Sequence, residues 1–185
     1  MNNEVIIRSK KEEDREKVLE VVNSFVKDSF AAYSDEYYSS LIVDEWSNKA
    51  KVFLVLETGN KVVGFGFVAS YKPFKSCNHV GVLTYFILPE YTGKGLGTNL
   101  FNKLISKGKD LGITNFLAHI SSKNEQSLNF HKKHGFQVVG KFKDMSVKLG
   151  ESIDMVWVQK QFNDSKRSWK SIIFMTCSLA SFIHI

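Results

Sequence analysis

The chain has 185 residues, of which 43% are hydrophobic and 13% aromatic, and its formal net charge is +6. This length and composition predict one globular domain with its own hydrophobic core and exclude a disordered chain. The basic residues are scattered rather than gathered in a run with interleaved aromatic residues, so the charge favours a small anionic ligand over nucleic acid.

The cysteines and the N-terminal residues indicate the cellular compartment in which the protein is expected. Cys77 and Cys177 provide neither a disulfide framework nor a metal-binding spacing, so no metal is expected. Residues 1–5 lack the basic stretch and following apolar stretch of a secretory signal. Together these features predict a reduced, cytoplasmic setting.

The first half of the chain predicts a strand, two helices and a hairpin. Ser9-Lys-Lys-Glu12 has the capping-box pattern, which predicts a helix that starts at Ser9. Gly64 and Gly66 lie inside a strand-like run and predict a bulge or the close approach of another backbone. The predicted elements, in order, are a strand at 5–8, a helix from Ser9, a helix between 35 and 49, and hairpin strands at 51–57 and 62–69 around Thr58-Gly-Asn60.

A glycine-rich turn follows the next predicted strand, at residues 82–88. It reads Pro89-Glu-Tyr-Thr-Gly-Lys-Gly-Leu-Gly97, and apolar residues at helical spacing follow it. Such a turn at the start of a helix is an anion site, because the first backbone N–H groups have no partner within the helix and the helix dipole favours negative charge. Gly93, Gly95 and Gly97 would let the backbone approach a phosphate or pyrophosphate.

The spacing of this turn excludes two common nucleotide motifs. In a Walker loop the lysine is followed by a hydroxyl residue, whereas Gly95 follows Lys94. A dinucleotide fingerprint reads G-x-G-x-x-G, whereas the glycines here are spaced G-x-G-x-G.

The second half predicts two helices and three strands. The helix after the turn ends at Gly112, and a helix from Asn124 to His134 is closed by Gly135. Strands are predicted at 116–120, 138–142 and 153–162.

Two motifs resemble the GNAT acetyltransferase superfamily. Residues 92–97 resemble its acetyl-coenzyme A loop, Q/R-x-x-G-x-G/A, with Thr92 in place of the usual Gln or Arg. Residues 119–136 resemble the segment after the family's fifth strand, with matches at Asn124, Ser127, Phe130, His131, Gly135 and Phe136. Scattered similarity over residues 4–162 resembles the branch that acetylates phosphinothricin and methionine sulfoximine.

The resemblance implies a fold, an activity and a co-substrate. The fold is α/β (α+β), the GNAT fold, in which helices flank a mixed, mostly antiparallel central sheet, here over residues 1–162. The activity is N-acetyl transfer from acetyl-CoA to the primary amine of a small amino-acid-like molecule in a ternary complex, by a protein that forms a homodimer. The cofactor contacts carried over are Phe86, Ile87, Leu88, Thr92, Gly93, Lys94, Gly95, Leu96, Gly97, Thr98, Asn124, Ser127 and His131.

The catalytic residues are less completely matched. His131 occupies the position at which many members carry a Tyr that protonates the leaving thiolate, and it is the candidate general acid; the alternative is a packing or cofactor-contact role. The branch commonly carries an acidic base at the position of Val82. Asp35, Glu36, His79 or a chain of water molecules are the replacement candidates, and the three side chains also have ordinary roles at a helix start or in a surface loop.

Residues 163–185 lie beyond the family pattern. Residues 163–170 are polar and predict a linker, and residues 171–185 are apolar and uncharged but too short to span a bilayer. Docking to a partner subunit, attachment to a membrane surface and no function are the alternatives, with the membrane the least favoured.

Two other functions compete with amino-acid acetylation. One is acetylation of a protein N-terminus or an aminoglycoside-like amine. The other is a CoA-binding regulatory module without catalysis, which the loss of the acid at Val82 and of the Gln or Arg at Thr92 would favour.

Overall fold

A computed structural model describes residues 5–162, so the predicted linker and apolar tail lie outside the described residues. The strands are β1 (Val5–Ser9), β2 (Ala50–Thr58), β3 (Lys61–Ser70), β4 (Val80–Ile87), β5 (Asn115–Ser121), β6 (Gln137–Lys148) and β7 (Glu151–Gln161). The helices are α1 (Arg15–Asn23), α2 (Leu41–Lys49), α3 (Leu96–Asp110) and α4 (Glu125–Lys133). Of the described helices, none has the length and apolarity to cross a membrane.

The strands form one mixed sheet in the order β1-β2-β3-β4-β5-β7-β6. β4 and β5 pair in parallel, and the other neighbouring strands pair antiparallel. Both the predicted order of elements and the mostly antiparallel sheet are confirmed.

Each face of the sheet carries its own core. On one face α3 and α4 cover a cluster that contains Leu100, Leu104 and Phe116, all fully buried. On the other face α1 and α2 cover a cluster that contains Val18 and Phe65, also fully buried. The sheet is therefore covered on both sides, and its central strands are almost entirely apolar.

The predicted helix start at Ser9 is wrong. Ser9 is the last residue of β1 and pairs with Leu54 of β2, and α1 begins only at Arg15, after a 3-10 turn. The carboxylate of Asp14 closes this 3-10 turn by accepting a hydrogen bond from the Lys11 N–H at 2.8 Å, and α1 itself has no side-chain cap. Strand pairing thus takes Ser9 away from the local capping pattern, because a ladder bond to β2 satisfies its backbone better than a helix start would.

The sixth strand is longer than the predicted run at 138–142. It continues to Lys148 through an irregular register between Phe142 and Ser146, and pairing with β7 resumes beyond it. A two-residue turn at Leu149 and Gly150, both with positive φ, joins the strands. The polar pair Lys143-Asp144 interrupts the strand pattern after Phe142, but the alternation resumes with Met145 and Val147, and pairing with β7 carries the strand across the interruption.

Gly64 and Gly66 of β3 lie at a bulge and at a close approach of neighbouring chain segments, as the sequence predicts. A Cβ at Gly66 would lie 2.8 Å from Leu104 Cδ1 and 3.2 Å from the Thr84 carbonyl oxygen, and one at Gly64 would lie 2.9 Å from the Phe86 carbonyl oxygen. The β2–β3 register also shifts opposite Gly64, as a bulge does. Both features bring β3 close to β4 and to α3.

Candidate active site

The central feature of the site is an open wedge between β4 and β5. Their parallel pairing covers only Val80–Val82 of β4. Beyond it β4 follows β3 as far as Ile87, and β5 follows β7 as far as Ser121. The two strands therefore diverge in the middle of the sheet.

The wedge exposes main-chain groups of β4. The Leu88 N–H donates to the Val63 carbonyl at 2.9 Å. Because hydrogen-bonded pairs alternate along an antiparallel ladder, the N–H and C=O groups of Tyr85 and Ile87 point away from β3, into the wedge. They can pair with an extended ligand as another strand would.

Two adjoining cavities open from the wedge. The first, which we name the channel, has a volume of about 400 Å³ and is lined by Phe25, Ala31, Tyr85, Phe86, Ile87, Thr92, Gly93, Gly95, Gly97, Thr98, Asn124, Gln126, Ser127, Phe130 and Lys133. The second, which we name the chamber, has a volume of about 280 Å³ and is lined by Val22, Ala31, Ala32, Tyr33, Tyr38, Ile42, Trp46, Leu83, Thr84, Tyr85, Phe86, Ala118, His119, Ile120, Ser121, Asn124, Ser127 and His131. Several residues line both the channel and the chamber, so the two cavities are continuous.

The glycine turn forms one end of the channel. Gly93 and Gly95 have φ angles of +74° and +79°, and no protein atom lies within 4 Å of a Cβ built at either residue. Gly95 is the N-cap of α3, so the unpaired N–H groups of the first helical turn lie at this end. Lys133 adds a positive charge to the lining. The channel therefore fits the phosphate end of an elongated anionic ligand such as acetyl-CoA.

The predicted cofactor residues divide into two groups. Those that line the channel are Phe86, Ile87, Thr92, Gly93, Gly95, Gly97, Thr98, Asn124 and Ser127. Leu88, Lys94 and Leu96 do not line it, and His131 lines the chamber instead. The ammonium of Lys94 donates to the Glu90 carbonyl at 3.2 Å. The hydroxyl of Thr92 donates to the Pro89 carbonyl at 2.8 Å, so it closes its own turn.

The sequence interpretation missed two polar channel residues, Gln126 and Lys133. With Phe130 they stand at helical positions i, i+4 and i+7 of α4, and this spacing places all three on one face. That periodicity is the signal that could have found them once Phe130 was matched. Asn124 caps the same helix as expected, since its side-chain oxygen accepts from the Ser127 N–H at 3.0 Å.

His131 is a buried imidazole with a defined orientation. Its side chain is 2% exposed, and its Nδ1 lies 2.8 Å from the Ser127 carbonyl oxygen. Nδ1 must carry the hydrogen in that contact, so Nε2 has a free lone pair and lies 3.2 Å from the Tyr85 hydroxyl. Burial lowers the pKa of His131 below 6.5, so the neutral imidazole dominates at pH 7. Burial also raises the pKa of Tyr85, which keeps its hydroxyl protonated.

The predicted base candidates lie away from the chamber. Asp35 and Glu36 are exposed on the loop between α1 and α2, and neither lines a cavity. His79 precedes β4, where its carbonyl accepts from the Thr114 and Asn115 N–H groups at the closed end of the wedge.

The chamber contains a second imidazole that the sequence interpretation did not single out as a site residue. His119 lies on β5 between the rings of Tyr33 and Trp157, at centroid distances of 5.7 and 5.3 Å. Desolvation between these rings lowers its pKa although the residue keeps an exposed surface, and its neutral form dominates at pH 7. The described residues that line the chamber therefore offer two imidazoles and no carboxylate.

Comparison with known proteins agrees with this architecture. The chain is 30% identical over 111 residues to the L-amino acid N-acyltransferase MnaT of Escherichia coli, a match that covers 60% of this chain and 64% of the relative. It is 28% identical over 111 residues to an L-methionine sulfoximine/L-methionine sulfone acetyltransferase of Salmonella typhimurium, covering 60% and 65%. The chain thus spans just under two thirds of the length of these two relatives.

The fold is also found in solved structures. A phosphinothricin acetyltransferase from Sinorhizobium meliloti, determined in complex with acetyl-CoA, superimposes with a TM-score of 0.78 at 19% identity, covering 89% of this chain and 91% of that one. The model of the acetyltransferase (GNAT) domain family matches residues 7–157. The chain, with its diverging central strands and glycine turn, therefore belongs to the GNAT acetyltransferase family.

Proposed function

We propose that this protein is an acetyl-CoA-dependent N-acetyltransferase that acts on the primary amine of a small amino-acid-like molecule. The observation that carries the proposal is the continuous path from an anion-binding turn, along exposed β4 backbone, into a chamber that contains two neutral imidazoles. The names of the relatives from Escherichia coli and Salmonella support the amino-acid-like class.

The channel would hold acetyl-CoA, which when bound supplies an acetyl group on a thioester. The N–H groups at residues 93–97 and the Lys133 ammonium face its anionic end. The wedge-facing N–H and C=O groups of Tyr85 and Ile87 hold the extended arm, and an N–H there also serves as an oxyanion donor. Gly93 and Gly95 leave space that side chains would fill.

Residues of the chamber would accept and donate the protons that the reaction moves. An alkylammonium cannot attack a carbonyl, so a proton must leave the amine first. The neutral Nε2 of His131 accepts a proton through the Tyr85 hydroxyl, and the resulting imidazolium can then protonate the leaving sulfur. His131 thus serves as the predicted general acid only after it has acted as an acceptor. Asp35, Glu36 and His79 remain the alternative bases, acting from outside the chamber.

The size of the chamber favours a small-molecule amine over a protein N-terminus as the acetyl acceptor. About 280 Å³ suits a small molecule, whereas a protein N-terminus requires a long open groove. The competing non-catalytic CoA-binding function is favoured by one observation, the lack of a carboxylate among the described residues that line the chamber.

Turnover tests the proposal. The purified full chain is given acetyl-CoA with a panel of amines that includes phosphinothricin, methionine sulfoximine, methionine sulfone and the common amino acids, and free thiol is followed by absorbance. We expect thiol release with at least one amine and its loss in Gly95→Glu. No release with any amine, while acetyl-CoA still raises the melting temperature, would favour the binding module.

The assembly and location belong to the same proposal. We propose a cytoplasmic homodimer that forms along β6, the edge strand of the sheet. Its exposed side chains include Val138, Val139, Phe142, Met145 and Val147, each more than half exposed. A long apolar edge strand of this kind invites pairing with a second copy.

A further inference from the structure

We propose that Lys148 is a positioning residue for the reaction: its side chain crosses from β6 to the loop between α1 and α2 and holds residues 25–32 as a wall shared by the channel and the chamber. This inference rests on the proposed function and goes beyond it, because Lys148 lines neither cavity and acts only through the loop. The wall is then in place before either substrate arrives.

The loop between α1 and α2 contributes to both cavities. Phe25 lines the channel, Ala32 lines the chamber, and Ala31 lines both. A movement of this short stretch would therefore change the binding site of the acetyl donor and the binding site of the amine together. Any contact that fixes residues 25–32 sets the shape of the whole path.

Lys148 contacts this stretch at both ends. Its ammonium donates to the carbonyl of Ala32 at 2.5 Å and lies 3.4 Å from the carbonyl of Phe25, residues that are 116 and 123 positions away along the chain. Of the described residues outside the loop, Lys148 alone makes a hydrogen bond to residues 27–37. The other side-chain hydrogen bonds of residues 27–37 stay within the loop. The polar attachment of this loop to the sheet therefore comes from β6.

Stability alone does not account for a lysine at this place. Lys148 is 2% exposed, and no described Asp or Glu forms an ion pair with it. An apolar side chain of similar length would be less costly to bury than an ammonium without a carboxylate. Hydrogen bonds to two carbonyls have a direction, however, and they fix where the loop lies against the sheet as an apolar contact would not.

The first test measures CoA binding, which does not depend on turnover. Lys148→Met keeps an unbranched side chain of similar length but removes the donor. Isothermal titration calorimetry gives the dissociation constant of CoA for the full chain of wild type and variant. We expect binding about tenfold weaker in the variant, because losing one or two hydrogen bonds lowers the fraction of chains in which the wall is in place.

Lys51→Met is the matched control. The Lys51 ammonium on β2 also donates to a loop carbonyl, that of Asn78, at 3.0 Å, but neither residue lines a cavity. The same substitution there should leave the dissociation constant of CoA within about twofold of wild type. Equal effects of the two variants would overturn the inference, as would unchanged CoA binding in Lys148→Met.

Steady-state kinetics distinguish a positioning role from a merely structural one. Saturating substrates rebuild the wall, so Lys148→Met should raise the KM of acetyl-CoA and of the amine about tenfold and keep kcat within about threefold of wild type. A side chain that only stabilised the fold would reduce the active fraction, which lowers the apparent kcat and leaves both KM values unchanged. That result, or a Lys148→Met chain that does not fold, contradicts the positioning role.

Proteolysis of the wild type gives a check that does not depend on the variant. If Lys148 holds the wall, chymotrypsin should cleave slowly after the half-buried Phe30 of the folded chain without CoA, and faster in Lys148→Met. Mass spectrometry of the fragments identifies the cleavage site. Rapid cleavage of wild type after Phe30 that only CoA slows would show that the ligand orders the loop, and the inference would fall.

Turnover separates this inference from the proposed function. If wild type releases thiol and Lys148→Met keeps both KM values, the positioning role fails and the acetyltransferase stands. If no amine releases thiol, while CoA binding weakens in Lys148→Met and not in Lys51→Met, the acetyltransferase fails and Lys148 still positions the wall of the CoA site.

Discussion

At the scale of single residues, His131 couples the chemistry to pH. In the proposed mechanism its neutral form accepts the proton, and burial lowers its pKa, so kcat/KM should fall as pH drops below that pKa. In His131→Gln we expect kcat to fall by roughly 10²–10⁴ and the acidic limb of the pH profile to disappear. Steady-state kinetics between pH 5 and 8 measure both. A residual limb of unchanged position would instead assign the titration to His119.

The same lowered pKa makes a prediction about stability. The unfolded chain binds a proton at His131 near pH 6.5, whereas the folded chain resists that proton, so the free energy of unfolding should decrease as pH falls below 6.5. The decrease should be smaller in His131→Gln but still present, because the pKa of His119 is lowered too. Melting temperatures of the two proteins across pH 5–7 test this, and parallel curves would contradict it.

Asp14 holds the first strand to the first helix. Its carboxylate is fully buried and accepts hydrogen bonds from the Arg8 guanidinium at 2.6 and 2.9 Å. Asp14→Asn should lower the free energy of unfolding by about 1–3 kcal/mol, because Arg8 would lose one of its two carboxylate partners and keep Glu57 at 2.6 Å. The adjacent Glu13→Gln is the control: its side chain is 66% exposed, and its effect should stay within about 0.5 kcal/mol. Urea denaturation measures both changes.

At the scale of elements, alanine substitutions at two glycines can distinguish the cost of backbone strain from a loss of ligand binding at the glycine turn. Gly95 and Gly112 have φ angles of +79° and +80°, and a Cβ at either meets no protein atom within 4 Å. Alanine at each should therefore cost a similar amount of stability, roughly 1–2 kcal/mol. Gly95→Ala should also weaken acetyl-CoA binding by about tenfold, because its methyl group occupies the space beside the start of α3. Equal acetyl-CoA affinity in the two variants would remove the turn from the binding site.

At the scale of the whole molecule, the edge strand β6 is the proposed interface of a homodimer. If two copies meet there, the double variant Val139→Lys/Phe142→Lys should reduce the mass in light scattering from twice 21.1 kDa to 21.1 kDa. Leu111→Lys is the control, since Leu111 is similarly exposed, at 56%, but follows α3. A dimer that survives the double variant would place the interface elsewhere.

Much of the fold could be predicted from local pattern. The hairpin turn at Gly59, the glycine turn at Gly93–Gly97 and the Asn124 cap each depend on a few neighbouring residues whose backbone requirements are visible in the sequence. Ser9 shows the limit. Its capping pattern was a good local signal, but pairing with Leu54, far along the chain, placed it in a strand.

The sequence by itself determined the family, the order of the elements and the glycine turn before α3, because spacing along the chain encodes all three. Only the tertiary structure decided which side chains meet at the chamber. Tyr33, His119 and Lys148 belong to three separate segments, and no spacing relates them. They meet only through tertiary packing: the rings of Tyr33 and His119 lie 5.7 Å apart, and the Lys148 ammonium donates to the carbonyl of Ala32, the residue before Tyr33.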